Sequence, residues 1–327
     1  MKEQLITNKI LDWYDINKRF LPWRKKTTIK KKEYYTLVSE FMLQQTQVAT
    51  VIPYFNRFIK NIPDIETLAR FDNQKLIKLW EGLGYYSRVR NLKKTSRVII
   101  KDFNKKLPDN FLDLKSLPGI GDYTASAILA IAFNKPLIPL DGNIERVLKR
   151  YLYLKKKDQI KKENLIKNKK VFGTSNRSSD YAQALMELGA LICKPNNPFC
   201  DKCPISNNCK SFIKKDFILT KTKKKNKDKY FLLKVYKKNN KYLLVKNRNF
   251  NFLKNFNIFP MQELIRPKNF NQNLNFKMSN MNMNIEIKND KMTKPIPLSY
   301  WIDPKKLKNY TLPTFTKKIV IYLENHK

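Results

Sequence analysis

The sequence predicts a mostly helical N-terminal region followed by a small α+β domain, and three observations support this fold class. Apolar residues recur at three- and four-residue steps in residues 33–52 and 178–193, which is the spacing of amphipathic helices. The segment KTKKKNKDK (221–229) has no apolar residue, as is typical of a linker. Beyond it, YFLLKVY (230–236) and KYLLV (241–245) flank the tetrapeptide KKNN and predict a β-hairpin.

The length of 327 residues indicates two domains, because a single domain rarely exceeds about 250 residues. We predict a helical region at 1–220, a linker at 221–229 and a C-terminal domain at 230–327. The best apolar run, ASAILAIAF (125–133), is half of the roughly 18 residues needed to cross a bilayer. The N-terminus lacks the apolar segment of a signal peptide. We therefore expect a monomeric cytoplasmic protein that binds no membrane.

The formal net charge is +40, from 67 Lys and Arg against 27 Asp and Glu. Basic side chains that neutralise phosphates release counterions, so this charge favours nucleic acid as a partner. Only 12 of the basic residues are Arg, and Asn and Ile are abundant, which suggests codon bias in an AT-rich genome. Solvated lysine faces therefore remain the alternative explanation for part of the charge.

Histidine and glycine are both scarce in this chain, which limits the possible catalytic sites and marks special backbone positions. The only histidine, His326, is next to the C-terminal residue, which excludes Ser-His-Asp triads and HExxH zinc sites. Catalysis must then use carboxylates, Tyr, Lys, Cys or a metal. All seven glycines lie between residues 82 and 189, so we expect them at backbone positions that other residues do not adopt.

Two of these glycines belong to the segment SLPGIGDYTASAILAIAF (116–133). It predicts a helix, a tight turn containing Gly119 and Gly121, and a second helix that begins near Asp122. The amides of such a turn and the positive end of the second helix bind a backbone phosphate without reading the sequence. An ordinary corner between two helices is the alternative.

Two carboxylates have neighbours that suit catalysis. Asp141, in PLIPLDGNIERV (136–147), resembles an ordinary helix cap, but near DNA it would stabilise the positive charge that develops at C1′ when a base departs. Glu40, in LVSEFMLQQTQVATVIPYF (37–55), is a lone acid among apolar residues. Such surroundings raise the pKa of a carboxyl and let it donate a proton, although a solvent-facing acid in the first turn of a helix is the common alternative.

All four cysteines lie within residues 193–209, with the spacing C-x6-C-x2-C-x5-C. A disulfide is not expected in a cytoplasmic chain, and structural zinc sites usually show two CxxC knuckles where this chain has one. The uneven spacing favours the four corners of a [4Fe–4S] cluster over zinc. The predicted ligands are Cys193, Cys200, Cys203 and Cys209.

These elements, in this order, resemble the endonuclease III superfamily of helix-hairpin-helix DNA glycosylases. Within it, SExMLQQTQVxTVIPYF, LPGIGxYTAxA and LDGNxxRV are most similar to the adenine DNA glycosylase (MutY) family. The similarity covers about residues 5–212. It implies a six-helix domain and an iron–sulfur domain there, and a Nudix-like domain at 230–327, where FNIFPMQE (256–263) matches a WEFP-type segment.

The resemblance implies an enzyme that releases adenine mispaired with 8-oxoguanine or guanine in duplex DNA. The adenine would flip out of the stack into a pocket. Glu40 would protonate its N7 and then help to activate water, while Asp141 would stabilise the oxocarbenium-like sugar. Bifunctional members carry a lysine where this chain has Tyr123, and a phenol cannot form an imine. Tyr123 would instead align the reacting centre, and strand cleavage would be absent or weak.

The resemblance also implies DNA contacts outside this catalytic set. Arg19, Arg24 and Gln183 match positions lining the adenine pocket, and Gln45 and Tyr85 match positions inserted at the lesion. The expected DNA-binding residues are Arg19, Arg24, Gln45, Thr46, Tyr85, Gly119, Gly121, Gln183, Phe315 and Thr316. The loop that senses the lesion usually reads Phe-Ser-His, whereas this chain has Phe315, Thr316 and Lys317. The ring nitrogen is lost, so the preference between 8-oxoguanine and guanine is left open.

Two other functions remain as alternatives. One is an endonuclease III-like glycosylase for pyrimidine lesions with lyase activity, against which Tyr123 and the Gln-Gln-Thr-Gln run argue. The other is a mismatch-binding protein without turnover, against which the presence of both Glu40 and Asp141 argues.

Overall fold

The computed structural model divides the chain into two units. It describes residues 2–218, 226–265, 269–278 and 280–326. The helical unit comprises Met1–Phe71 and Ser87–Lys221, and the C-terminal unit comprises Asp72–Tyr86 and Thr222–Lys327. Within the described ranges, no helix has both the length and the apolar character needed to span a membrane.

Helices make up almost all regular structure before the described part of the chain breaks at residue 218. They are α1 Lys2–Asn17, α2 Ile29–Leu43, α3 Val48–Asn61, α4 Ile65–Arg70, α5 Asn73–Leu79, α6 Ser87–Asp102, α7 Phe111–Ser116, α8 Asp122–Ile131, α9 Gly142–Leu152, α10 Lys162–Asn168, α11 Ser178–Glu187 and α12 Lys210–Ile213. Of these, α5 belongs to the C-terminal unit. A π-helical turn, Leu188–Ile192, continues α11, so the helix predicted at 178–193 is confirmed.

Several helices begin where a short polar side chain can satisfy a free backbone N–H, as the helix N-terminus requires. The capping side chains are Thr28, Asp64, Asp72, Asn110 and Asp141.

The prediction of a single helix at 33–52 that ends at Pro53 is wrong. The helix is interrupted at residues 44–47, and Pro53 lies inside α3. The side chain of Arg88 explains the break. Its Nη1 donates to the carbonyl oxygens of Phe41 (3.2 Å), Met42 (2.6 Å) and Gln44 (2.6 Å). These bonds satisfy the last carbonyls of α2 and end the helix.

The packing of four helices positions the site. Helix α8 packs against both α2 and α11, and α11 also packs against α1 and α9. A core of buried side chains joins α1, α9 and α11, among them Ile10, Tyr14, Leu148 and Leu185. Because α8 is almost wholly apolar, it is buried between its neighbours and brings the polar ends of α2, α8, α9 and α11 together.

The C-terminal unit contains two four-stranded sheets and one long helix, α13 Thr314–Asn325. The strands are β1 Lys227–Val235, β2 Lys237–Lys238, β3 Lys241–Lys246, β4 Asn257–Ile258, β5 Met261–Leu264, β6 Leu274–Met278, β7 Met281–Asn289 and β8 Ser299–Ile302. One sheet has the order β5-β1-β7-β6, in which β1 and β7 are parallel. In the other, β2, β3 and β4 follow one another and β8 pairs with β3. The α+β class predicted for this region is confirmed.

The predicted hairpin is only partly right. Residues 230–236 and 241–245 do form strands, but β1 pairs with β5 and β7, whereas β3 pairs with β2, β4 and β8. The hairpin turn itself is present, since Asn239 and Asn240 both have positive φ, as a two-residue β-turn requires. It joins only the short strand β2 to β3, because β5 and β7 occupy both edges of β1.

The domain boundaries also differ from the prediction. Strand β1 begins at Lys227 and pairs with Met281, so residues 227–229 are strand and not linker. Backbone pairing, which needs no apolar side chain, explains why composition missed them. Residues 221–225 of the predicted linker lie outside the described residues. In addition, residues 72–86, which we predicted within the helical region, belong to the C-terminal unit.

Candidate active site

A cavity of about 540 Å³ opens in the helical unit where α2, α8, α9 and α11 meet. It brings together seven of the residues that the sequence predicted for catalysis and substrate binding. These are Arg19, Arg24, Glu40, Thr46, Tyr123, Asp141 and Gln183. They are contributed by segments spread over more than 160 positions of the chain, so the cavity is a product of the fold.

Glu40 reaches the cavity from the end of α2 and is only 4% exposed. Burial raises the pKa of its carboxyl to about 7, and the nearby charge of Asp141 adds to the rise, whereas the Tyr123 hydroxyl and Arg24 oppose it. Its Oε2 has no hydrogen-bond partner among the residues that the structure describes. A substantial fraction of this carboxyl therefore keeps its proton at neutral pH, and one oxygen is unengaged, as a general acid requires.

Tyr123 lies in the first turn of α8 and is hydrogen-bonded to Glu40 through its hydroxyl. Burial raises the pKa of this phenol well above its usual value, so the hydroxyl stays neutral and donates to the carboxylate. The contact holds the Glu40 side chain against the cavity wall. Among the described residues, no lysine lines this cavity.

Asp141 caps α9 and lines the cavity at the same time. Its Oδ1 accepts from the Ile144 backbone N at 2.7 Å, and its Oδ2 accepts from Asn143 Nδ2 at 2.8 Å. Burial raises the pKa of this carboxyl in spite of both bonds. The two bonds hold the carboxylate in one orientation, so the helix-cap interpretation is confirmed, while the catalytic role stays a prediction.

The amide that orients Asp141 is itself held in place. Asn143 Oδ1 accepts from Arg146 Nη2 at 2.9 Å, and Arg146 Nε donates to the Cys193 carbonyl oxygen at 2.7 Å. Arg146 Nη2 also donates to the Gly189 carbonyl oxygen at 2.6 Å. Hydrogen bonds thus connect Asp141 to the segment that carries the first cysteine.

The two predicted arginines are bound to an acid that the sequence analysis missed, Glu187. Arg19 Nε donates to Glu187 Oε2 at 2.7 Å, and Arg19 Nη2 to Oε1 at 3.0 Å. Arg24 Nη1 also donates to Oε1, at 2.8 Å. The Glu187 side chain is fully buried. An acid in the middle of the apolar stretch ALMELGALIC (184–193) was the signal that could have revealed it.

Gln183 lies one helical turn before Glu187, is 7% exposed and also lines the cavity. Its Nε2 donates to the Ser179 carbonyl oxygen at 3.0 Å. The cavity wall on the α11 side therefore carries an amide, a carboxylate and two guanidinium groups, which can make directional hydrogen bonds to a heterocyclic base.

The loop between α2 and α3 carries the predicted Gln45 and Thr46. Gln45 is exposed with φ 56°, while Thr46 lines the cavity. Gln44 Nε2 donates to the Gly119 carbonyl oxygen and to Thr124 Oγ1, both at 3.3 Å. Together with Arg88, which sequence analysis missed, this contact fixes the loop and presents Gln45 to solvent.

The predicted hairpin connects α7 to α8, and its two glycines have different reasons to be glycine. Gly119 has φ +84°, and a Cβ there would lie 2.8 Å from Asn91 Cβ and 3.0 Å from a Phe41 ring carbon. Gly121 precedes α8 in extended conformation, and a Cβ there would meet nothing within 4 Å. The exposed face at Gly121 thus leaves room for a ligand beside the first N–H groups of α8.

Three predicted contact residues lie in the C-terminal unit. Tyr85 is 46% exposed with φ 47°, so part of its side chain faces solvent. Phe315 is 6% exposed, and Thr316 is fully buried with its hydroxyl donating to the Asn257 carbonyl oxygen at 2.9 Å. Both side chains lie in the first turn of α13 and are buried, and their contact with a lesion stays a prediction.

The four cysteines line one mainly apolar cavity in the helical unit. All are free thiols, and Arg150 Nη1 lies 3.5 Å from Cys193 Sγ. Burial raises the pKa of the Cys203 thiol to about 12. Within the described residues, no three His, Cys, Asp or Glu side chains lie close enough to hold a single metal ion. The four cysteines thus border one cavity, and the cluster predicted for them stays a prediction.

A helix-hairpin-helix motif beside a cavity that holds a buried Glu and a hydrogen-bonded Asp is typical of helix-hairpin-helix DNA glycosylases. Residues 38–171 match the HhH-GPD superfamily of base excision DNA repair proteins. The chain belongs to the adenine DNA glycosylase family. It is 40% identical over 258 residues to the adenine DNA glycosylase of Buchnera aphidicola subsp. Baizongia pistaciae, which covers 77% of this chain and 72% of that relative.

A more distant relative agrees with this assignment, and two solved structures share the fold. The human adenine DNA glycosylase is 37% identical over 213 residues, covering 62% of this chain and 38% of its own length. A thermostable thymine-DNA glycosylase aligns with TM-score 0.57 and 26% identity, over 65% of this chain and 97% of its own. An endonuclease III in a DNA complex shares the fold, with TM-score 0.53 and 21% identity over 66% of this chain and 98% of its own.

Proposed function

We propose that this DNA glycosylase hydrolyses the glycosidic bond of adenine mispaired with 8-oxoguanine or guanine in duplex DNA, without cutting the strand. The observation that carries this proposal is the pair of carboxyls in one cavity. Glu40 has a pKa raised to about 7 by burial, whereas Asp141 is held by two hydrogen bonds. Burial raises both pKa values, but at Asp141 both oxygens accept from N–H donors that favour the charged form, as suits a stabilising anion beside an acid.

In the proposed reaction Glu40 transfers its proton to N7 of the flipped adenine. The bond between C1′ and N9 then breaks, and its electron pair leaves with the purine. Asp141 stabilises the cationic sugar through its negative charge. Water adds to C1′ and gives a proton to the Glu40 carboxylate, which restores the acid. Tyr123 keeps Glu40 oriented through its hydrogen bond.

Hydrolysis without lyase activity is supported by what lines the cavity. Tyr123 is where a bifunctional enzyme would need a lysine, and in the described chain no lysine borders the cavity. Without a primary amine near C1′, no imine can form. This favours the monofunctional reaction over the endonuclease III-like alternative.

Adenine recognition is proposed for the wall formed by Arg19, Arg24 and Gln183. Glu187 holds both guanidinium groups at the cavity, so their remaining N–H groups can face the acceptor nitrogens of the base. The +40 charge and the hairpin at Gly121 would bind the phosphates of the duplex. In the C-terminal unit, which we propose to be Nudix-like, the exposed Tyr85 would contact the DNA at the mispair.

The cysteine cavity suits a [4Fe–4S] cluster better than a single zinc ion. Four thiols border one cavity, and their uneven spacing, C-x6-C-x2-C-x5-C, favours the corners of a cluster. Cys193, Cys200, Cys203 and Cys209 would hold it. When bound, it would cross-link the loop 193–209 through its four ligands and stabilise their thiolate form. About four iron atoms per chain are expected on metal analysis, and zinc without iron would contradict the assignment.

The function is tested by single-turnover release of adenine from duplexes in which adenine faces each possible base. Release is expected opposite 8-oxoguanine and guanine. Glu40→Gln should abolish release while duplex binding persists, because the amide keeps the hydrogen bond but has no proton to give. Glu33→Gln, on the same helix but outside the cavity lining, is the matched control.

Each alternative function has its own outcome. Unimpaired release by Glu40→Gln would remove that residue from its role. Binding without release by the parent chain would favour the inactive mismatch-binding protein. A strong borohydride-trapped adduct on an abasic duplex, lost on mutating a lysine, would favour the lyase.

A further inference from the structure

Glu81 joins the segment 72–86 to the rest of the C-terminal unit by accepting from Leu312 and Lys317, and it also binds Lys78 within the segment. Its Oε1 accepts from the Leu312 backbone N at 3.1 Å and from Lys317 Nζ at 2.8 Å. Its Oε2 accepts from Lys78 Nζ at 2.9 Å. Both Leu312 and Lys317 flank the start of α13, so one carboxylate ties this segment to that helix.

The surroundings of Glu81 make this contact stronger than an exposed ion pair. The Glu81 side chain is 13% exposed and that of Lys317 is 28% exposed. Burial alone would raise the pKa of Glu81, but the hydrogen bonds from Lys317 and Lys78 outweigh it and keep that pKa below its usual range. Lys78 Nζ also donates to the Lys308 carbonyl oxygen at 3.0 Å. A charged pair with little solvent around it is screened less than a surface pair.

The turn that follows Glu81 carries Tyr85 and has an unusual backbone. Gly82 has φ 98°, Gly84 has φ 76° and Tyr85 has φ 47°, so three of four consecutive residues adopt left-handed conformations. For Tyr85 this conformation is unfavourable on its own. It persists only when neighbouring contacts hold the turn.

Contacts hold the turn at both ends. Before it, Glu81 binds Lys317 and Leu312, as described above. After it, the Tyr86 ring packs on Phe256 with ring centroids 4.3 Å apart. Within the turn, Trp80 Nε1 donates to the Gly84 carbonyl oxygen at 3.1 Å. The orientation of Tyr85 therefore depends on side chains of the C-terminal unit and is not set by its local sequence.

We propose that Lys317 and Glu81 are positioning residues that hold the Tyr85 turn in the conformation with which Tyr85 contacts DNA at the mispair. The proposal rests on the DNA contact assigned to Tyr85 under the proposed function. It gives Lys317 a role through Tyr85 and requires no contact between Lys317 and the damaged base.

A double-mutant cycle on duplex binding tests the proposal. The probe is an A·8-oxoguanine duplex whose adenine nucleotide cannot be cleaved. Lys317→Met and Tyr85→Ala should each weaken binding about fivefold, and the double variant should bind no more weakly than Tyr85→Ala, because coupled residues are not additive. The single-turnover rate constant of Lys317→Met at saturating enzyme should match that of the parent, because Lys317 does not line the cavity that holds Glu40 and Asp141. Lys317→Arg should restore binding, since it keeps the cation.

Controls separate positioning from folding. Lys318→Met removes an exposed lysine next in the chain and should bind like the parent. Glu81→Gln keeps an acceptor for Leu312 but loses the charge. It should reproduce the effect of Lys317→Met on duplex binding, while far-UV circular dichroism shows that the variant is folded like the parent.

The outcomes are distinct. Additive losses from Lys317→Met and Tyr85→Ala overturn the proposal, as does normal binding by Lys317→Met when Tyr85→Ala binds weakly. Normal binding by Tyr85→Ala overturns the DNA contact of Tyr85 itself, and the proposal with it. That outcome would leave the proposed function in place, because adenine release is assigned to Glu40 and Asp141 and is measured separately.

Discussion

Glu40 shows how the environment of one residue sets its chemistry. An exposed glutamate is ionised at neutral pH and cannot act as an acid, but burial raises the pKa of Glu40 to about 7. The same burial leaves Oε2 without a partner in the described chain. A cavity that admits adenine would give that oxygen the one partner it lacks.

The pH profile of adenine release should therefore fall on the alkaline side. Glu40 acts as an acid only while protonated, so single-turnover release should decline as pH rises through about 7. One pH unit above that midpoint, release should be about tenfold slower than at acidic pH, where Glu40 is fully protonated. Duplex binding, measured in parallel, should vary less over the same range. A rate that increases through neutral pH would contradict proton donation by Glu40.

Glu187 should carry much of the stability of the cavity wall. Glu187→Gln leaves the guanidinium groups of Arg19 and Arg24 without their buried anion, and breaking such a pair costs about 3 kcal/mol. Chemical denaturation followed by helical circular dichroism should show the loss. Glu163→Gln, an exposed acid on α10, should change stability by less than about 0.5 kcal/mol. Equal stability of the two variants would contradict the structural role.

At the scale of elements, the hairpin between α7 and α8 combines a structural and a functional requirement. Gly119 turns the chain through a left-handed residue packed on Asn91 and Phe41, whereas Gly121 leaves space at the start of α8. The sequence showed two glycines close together. Their different roles became clear only from the backbone angles and from the neighbours contributed by α2 and α6.

The two glycines should respond differently to alanine. Gly119→Ala should lower the free energy of unfolding by about 3 kcal/mol, from left-handed strain and overpacking together. Gly121→Ala should change it by less than about 1 kcal/mol, yet weaken duplex binding by filling the space offered to a phosphate. Denaturation and duplex titration of both variants give the comparison. A stable Gly119→Ala variant with normal binding would count against this account.

At the scale of the whole molecule, the division into units assigns two tasks to different parts of the chain. Glu40, Tyr123 and Asp141 all belong to the helical unit. Tyr85 belongs to the C-terminal unit, although it lies between Glu40 and Tyr123 in the sequence. We therefore expect base excision and reading of the opposite base to be separable by mutation.

The net charge of +40 predicts a steep dependence of DNA binding on salt. For a protein that makes six or more phosphate contacts, affinity for undamaged duplex should fall by about a thousandfold between about 50 and 200 mM salt. Titrations at several salt concentrations measure the slope. The single-turnover rate at saturating enzyme should stay constant. A shallow slope would mean that most of the lysines are solvated faces that contact no phosphate.

Local patterns predicted much of the fold and site because their physical causes are local. The helix at 178–193 followed from apolar periodicity, and the Asp141 cap followed from the residues just after it. The hairpin of 230–236 with 241–245 failed because strand pairing joins distant segments. The helix predicted across residues 44–47 failed because Arg88, far along the chain, takes the carbonyls that would have continued it.

The sequence by itself determined the class of enzyme, the two carboxyls, Tyr123 and the cysteine set, because these are identities of residues at particular spacings. Only the tertiary structure decided the pKa of Glu40, the pairing of Arg19 with Glu187 and the unit to which Tyr85 belongs. The physical reason is that burial and ion pairing depend on neighbours in space. Arg19 and Glu187 are 168 positions apart, and no local pattern records that they meet.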